Sequence, residues 1–399
     1  MMYSNIENKS ILLDDRKKLI LEILLSLCSV FSVLSQIPLN TIDLFSKPFL
    51  FFLWTFTLCF VLFAFAGRLR FRVLCYILPV LIFDCLIMLF QIFSRKSYLS
   101  SQLFYPIHLS SFIFIVCYFC GQFLTEKSFK RIINLYVISV IIVSLYIFFT
   151  YYFGLTNWFS STLYIYSSKN SFAQIVLFAA VLIFLYGFMN NKKLKFPLIF
   201  LLIFFLLLLK CRSTLVGLFI IVIYIVFFHI KNFSLKVFVV LFFLIFLLSI
   251  FIIPSFNDFF IEGMIFNNRG DEGWGVITSG RLSHFNRFLS LFRENPIIGN
   301  GKVRIESFPL SILAGFGVFA GSFLIFFAIT PLIFSIKRIL KKEISPMLSV
   351  LFLFSMISLS NCLFEEQAPF GPGVKCFMLW FVYGFFLGME DNHEDNHLP

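Results

Sequence analysis

The sequence predicts an all-α polytopic membrane protein of about twelve transmembrane helices with one large periplasmic loop, and three observations carry that reading. Of 399 residues, 60% are apolar and only 13% charged, at a mean hydropathy of +0.96; a water-soluble surface cannot be assembled from that material. The apolar residues, 62 of them phenylalanine, run unbroken in stretches such as FLFFLW (49–54) and LIFFLLLLK (202–210). Helices facing lipid or one another look like this, whereas a lipid-spanning barrel needs short alternating segments. The basic residues behind the net charge of +12 sit in short clusters between the runs. They form no basic face, so nucleic acid is excluded as a partner and the lipid bilayer is the solvent.

A helix crosses the hydrocarbon in about 20 residues. On that ruler the spans fall near 19–38, 48–66, 71–93, 103–124, 132–154, 172–190, 196–209, 214–230, 235–254, 309–335, 346–364 and 374–388. The seventh and eighth are so close that eleven is the alternative count. The first run follows a polar stretch and lacks a small-residue cleavage site, which makes it a retained span.

Lysine and arginine in short loops stay cytoplasmic. Most of the 32 basic residues fall in one set of connections: Arg16 to Lys18, Arg68 to Arg72, Lys127 to Arg131, Lys192 to Lys195, Lys231 to Lys236 and Lys337 to Lys342. Both termini are therefore expected inside. Cys117 and Cys120 form a lone CxxC inside an apolar run and read as packing residues, with no disulfide framework expected. The acidic tail EDNHEDNHLP (390–399) reads as a solvated end.

Charges buried in a bilayer are expensive and usually have work to do. The spans hold Glu22, one turn from an end and able to reach the interface, and Asp84, mid-span in LIFDCLIM and expected to find an interhelical partner. The loop 255–308 is the only long polar stretch. It carries Arg269, Arg281, Arg287, Arg293, Lys302 and Arg304 beside Asp258, Glu262, Asp271, Glu272, Glu294 and Glu306, and loops of this length are usually functional.

Within it, RLSHFNRFLSLFRE (281–294) places Leu282, Phe285, Phe288, Leu289 and Phe292 at helical spacing, predicting an amphipathic helix on the membrane surface. Arg281 projects onto the apolar side and should point into the bundle, where it needs an anion; Ser279 and Gly280 suit a helix start that adds to the positive field. A second arginine, Arg212 in CRSTLVG, falls at the outer turn between spans seven and eight, beside Ser213 and Thr214. Two guanidinium groups converging at the outer boundary would make a phosphate or pyrophosphate clamp.

These residues resemble a known family. CRSTLVG looks like the SRSxxxG signature, and SGRLSHFNRFLSLFRENPIIGNG like the GRxxxW…PxxGxG signature, of the O-antigen polymerase (Wzy) and ligase superfamily. SSKNSFA (167–173) and SFPLSILAGFGVFAG (307–321) stand in the places of its asparagine-containing segment and its post-loop helix. Phe285 replaces the usual tryptophan, and Glu306 and Ser307 stand where the ligase branch has a His-Asn pair, which favours the polymerase branch.

What the resemblance implies is a glycosyltransferase of the bacterial inner membrane. It would move a growing glycan from an undecaprenyl-pyrophosphate carrier to a repeat unit on a second carrier, alongside a separate chain-length regulator protein. Arg212 and Arg281 would bind the pyrophosphate, with Ser213, Arg287 and Asn170 as secondary contacts. No metal or other cofactor is implied, because the arginines supply the positive field. The catalytic base is expected at Glu306, with Glu366 and Glu262 the next choices and Asp271, Glu272, Glu365 and His284 as rivals. The alternatives are the ligase of the same superfamily and a flippase or other transporter of lipid-linked oligosaccharides.

Overall fold

The computed structural model describes residues 2–35, 37, 47–94, 96–154, 169–188, 192–265, 281–371 and 377–394. Helix follows helix and no strand occurs among them, so the chain is an all-α polytopic membrane protein. The helices are α1 (Met2–Leu34), α2 (Lys47–Ala64), α3 (Val73–Ser94), α4 (Phe104–Gly121), α5 (Glu126–Ile147), α6 (Lys169–Tyr186), α7 (Lys192–Leu208), α8 (Arg212–Tyr224) and α9 (Phe233–Ile252). After a π-helical segment, Asn257–Ile265, come α10 (Arg281–Glu294), α11 (Phe308–Leu340), α12 (Pro346–Cys362) and α13 (Phe377–Glu394).

Each of the twelve expected spans overlaps one of these helices within the described residues. Among the described residues seven helices are long and apolar enough to cross a membrane by length and composition, and α2 and α12 are shorter apolar helices. The reason they form is the same throughout: in lipid an unpaired backbone group costs several kcal/mol, so each apolar run pairs its own backbone.

Helices in lipid approach closely where side chains are small. α4 and α13 pack backbone to backbone through Gly121 on one and Gly384 and Gly388 on the other; a Cβ at these positions would collide with the carbonyls of Phe385, Phe114 and Tyr118. Cys117 and Cys120 are buried in α4, Cys117 beside Gly384, the packing role expected of them. Gly217, the glycine of CRSTLVG, lets α8 settle on Leu177 of α6.

Two in-span charges find partners that composition did not name. Asp84 of α3 meets His108 of α4, Nε2 lying 3.1 Å from Oδ1. Glu22 pairs with Arg131 of α5, its carboxylate accepting at 2.8 Å from a side chain that is half exposed.

The expectation for residues 281–294 needs a correction. α10 has the predicted bounds, but its buried face rests on protein: Phe288, Leu289, Leu291 and Phe292 pack with Val303, Ile305, Leu310, Leu313 and Ala314. Leu282 and Phe285 stay exposed. A helical moment reports that one face is apolar, not whether lipid or protein covers it.

α11 is broken. Gly317 sits at φ 71°, ψ 177°, splitting the helix into 308–316 and 318–340. A break in a membrane helix strands backbone groups that must find partners, and the segment after α10 supplies them. The amides of Asn300 and Gly301 donate to the carbonyls of Ala314 and Gly315 at 2.9 and 2.8 Å. The amides of Val318 and Phe319 donate to Pro296 and Ile297 at 2.8 and 3.2 Å. Gly299 and Gly301 take φ of 74° and 80° to make the fit, which is the physical content of the PxxGxG pattern. Asn300 ties the turn to α10 by donating to the Leu291 carbonyl at 2.6 Å, and Lys96 Nζ donates to the Gly299 carbonyl at 2.9 Å.

Candidate functional site at one end of the bundle

Residues from α6, α8, α10, α11 and the segment after α12 gather at one end of the bundle. Lys210, in the left-handed region at φ 46°, turns the chain between α7 and α8. Arg212 is then the first residue of α8, whose N-cap, Cys211, makes no side-chain cap bond. A helix N-terminus attracts anions through its amides and dipole. Lys169, the first residue of α6, reaches to 3.5 Å of the Lys210 carbonyl; the Arg212 charge acts on Lys169, and the Lys169 charge acts on Lys210. Burial and Lys169 together hold the Lys210 ammonium below its ordinary range. Three cations thus crowd two neighbouring helix starts. Like charges held this close repel, and an anion between them relieves it. Lys169 and Lys210 were not singled out from sequence, since each looked like one more basic residue in a short loop.

Arg281 points into the bundle as its helical phase required. Its guanidinium lies over the Phe364 ring at 4.8 Å, and its Nε is buried with no hydrogen-bond acceptor among the described residues. Phe364 belongs to the segment after α12, which the stacked rings of Phe370, Trp380 and Phe327 fasten to the core. Trp380 Nε1 donates to the Pro369 carbonyl and Ser110 Oγ to that of Phe370. On this anchored segment Glu365 accepts from Asn170 Nδ2 of α6 at 3.0 Å, joining the Arg281 side of the site to the Lys169 side.

Glu366 is next, and Ser311 Oγ of α11 donates to it at 3.0 Å. Burial pushes this carboxyl above its ordinary 4.5; Ser311, the Arg304 charge and the Ile305 amide pull the other way, and Glu306 adds a further upward push. A half-buried carboxyl held above its ordinary range beside a candidate anion site has the character of a general base.

The other expected residues are placed as follows. Glu306, half-buried, neighbours Glu366. Glu262, also half-buried, lies on the π-helical segment whose Phe259 ring sits 5.8 Å from Lys210 Nζ. Ser213 lies beside Arg212, 3.2 Å from Cys211 Sγ. Arg287 is on the exposed face of α10, and His284 is half-buried on the same helix. Asp271, Glu272, Ser279 and Gly280 lie outside the described residues.

No curated protein matches the chain. A family does: residues 197–314 match the model of the family described as O-Antigen ligase (Wzy_C), a stretch running from α7 to the break in α11 and including Arg212, Arg281 and Glu306. That stretch holds both signatures, and over it the chain is similar to the O-antigen polymerase and ligase superfamily.

Proposed function

We propose that this membrane enzyme, of a superfamily acting on lipid-linked glycans, is an O-antigen polymerase that joins undecaprenyl-pyrophosphate-linked repeat units at the periplasmic face of the inner membrane. The observation that carries the reading is the crowding of Lys169, Lys210 and Arg212, linked to Arg281 through the Phe364 ring and the Asn170–Glu365 hydrogen bond, with the raised carboxyl of Glu366 next in the chain. In the reaction the acceptor hydroxyl attacks C1 of the donor glycan while Glu366 takes its proton. The C1–O bond to the carrier breaks, and the pyrophosphate leaves with the electron pair. Its developing charge falls to the cations, whose bidentate guanidinium donors suit phosphate oxygens. Glu306 and Glu262 stand as second choices for the base, and Ser213 and Asn170 as contacts to the same substrate. A separate chain-length regulator is the expected protein partner.

The second reading is a ligase, which the description of the matched family favours; against it stands Glu306-Ser307 in place of the His-Asn pair. Deleting the gene and resolving the surface polysaccharide on a gel separates them. Loss of the polymerase leaves single-repeat caps on lipid A core. Loss of a ligase leaves none while polymer accumulates on the carrier, and loss of a flippase leaves neither on the outer face. Absence of single-repeat caps in a host with an intact ligase overturns the proposal. Orientation is tested separately: a reporter fused after Asn268 is expected to report the periplasm, and a cytoplasmic signal inverts the topology.

A further inference from the structure

Three of the helices that build this site, α6, α8 and α12, meet at Gly217, where an added Cβ would collide with Leu177 of α6 and touch Ile357 of α12. One helical turn from that level toward the site, α6 carries Gln174, α8 carries Thr214 and α12 carries Asn361. Asn361 is 3% exposed, and its Oδ1 has no hydrogen-bond donor among the described residues. Its neighbours on the seam are engaged: Gln174 Nε2 reaches Ser358 Oγ at 3.5 Å, and Thr214 Oγ1 donates to the Cys211 carbonyl at 2.6 Å. The backbone carbonyl of Asn361 accepts from the amides of Phe364 and Glu365, both at 2.9 Å. It is thereby tied to the residues that meet Arg281 and Asn170.

Two buried groups of opposite kind are thus tied to Phe364 and lack partners among the described residues: Arg281 Nε, a donor, and Asn361 Oδ1, an acceptor. A buried polar atom left unpaired is costly. Phosphate oxygens accept, so a pyrophosphate satisfies the arginine and does nothing for the asparagine. Asn361 requires a group that donates, and a glycan joined to the carrier supplies hydroxyls and amide N–H groups. The one nearest the phosphate is the substituent on C2, beside the C1–O bond that breaks. Hydrogen bonds at that position strengthen in the transition state when a glycosidic bond is cleaved. We propose, resting on the polymerase reading above, that Asn361 is a specificity-determining residue: its Oδ1 accepts a hydrogen bond from the C2 hydroxyl or acetamido N–H of the donor sugar while Arg281 holds the adjoining phosphate.

The test gives the full-length protein two donors: the lipid-linked repeat unit that accumulates in the deletion strain, and the same unit rebuilt with hydrogen in place of the C2 substituent of its reducing-end sugar. The ratio of kcat/KM for the two is compared between wild type and variants, which cancels any difference in the donors' own reactivity. Asn361→Leu should lower that ratio by roughly 10- to 100-fold, the discrimination lost with one buried hydrogen bond. A purely structural role would instead slow both donors alike and leave the ratio where it was. Asn361→Asp, of the same size and still an acceptor, should keep the wild-type preference. An undiminished ratio in Asn361→Leu overturns the inference and leaves the polymerase reading standing. Should Asn361→Leu fail to insert, Asn361→Asp decides, and collapse of its ratio overturns the inference. A natural repeat unit with no donor on that C2 also overturns it. Elongation of neither donor by the wild type overturns the polymerase reading and the inference together.

Discussion

The guanidinium of Arg281 lies over the ring of Phe364, 4.8 Å from its centroid. That ring fixes the plane of the charge while leaving Nε, buried and without an acceptor among the described residues, for a ligand oxygen. Arg281→Ala and Arg212→Ala are each expected to lower polymerisation by about 100-fold or more, the loss typical of removing one preorganised donor. Lysine at either position should rescue poorly, because a point charge lacks the planar fork. Polysaccharide ladders, read beside membrane-inserted protein levels, check this; wild-type chain lengths in both alanine variants would sink the arginine clamp.

Glu366 makes a pH prediction. A base works deprotonated, and burial holds this carboxyl above its ordinary 4.5. Rate in vitro should therefore fall on acidification at a higher pH than an ordinary carboxylate gives. Ser311→Ala removes a hydrogen bond that favours the charged form and should move the acid limb further up. Glu366→Gln should remove the limb and cost about 100- to 10,000-fold in rate. An acid limb that stays put in Ser311→Ala would show that another group titrates.

Lys169→Gln and Lys210→Gln test the crowding at the starts of α6 and α8. Each removes a cation that would contact the bound anion, so the expected signature is a raised KM for the lipid-linked donor with a smaller change in kcat. An unchanged KM in both variants would remove these lysines from the site.

Gly317→Ala should be severely destabilising. Its φ of 71° disfavours any side chain, and an added Cβ would collide with the Ile297 carbonyl; the strain alone is roughly 1–3 kcal/mol. Thermal unfolding in detergent measures it, with Gly67→Ala, where a Cβ meets nothing within 4 Å, as the control expected to unfold like the wild type.

Hydropathy located the helices because lipid makes the same demand on every span, and the phase of 281–294 correctly aimed Arg281 inward. What escaped the sequence is long-range. Lys169 and Lys210 are 41 residues apart, and nothing in either loop says that α6 and α8 start side by side. Asp84 was visible as a misfit, but His108 became its partner only when α3 and α4 packed. Glu306 was preferred as the base by motif position; burial, which motifs do not encode, draws attention to Glu366 instead. Gly317 hid in SFPLSILAGFGVFAG, since an apolar scale scores a glycine alike in a helix and at a break.

The break at Gly317 also says where the chain can be cut and exchanged. Residues 281–316 hold α10, the turn at 296–301 and the first part of α11, and the turn's hydrogen bonds span the break itself. A graft between related enzymes that stops at the hydropathy boundary near 308 would sever those bonds, leaving donors and acceptors from two parents to mate across an unmatched seam. A transplant that carries 281–319 intact brings both halves of the joint. That longer cassette is the natural unit in which specificity would be traded.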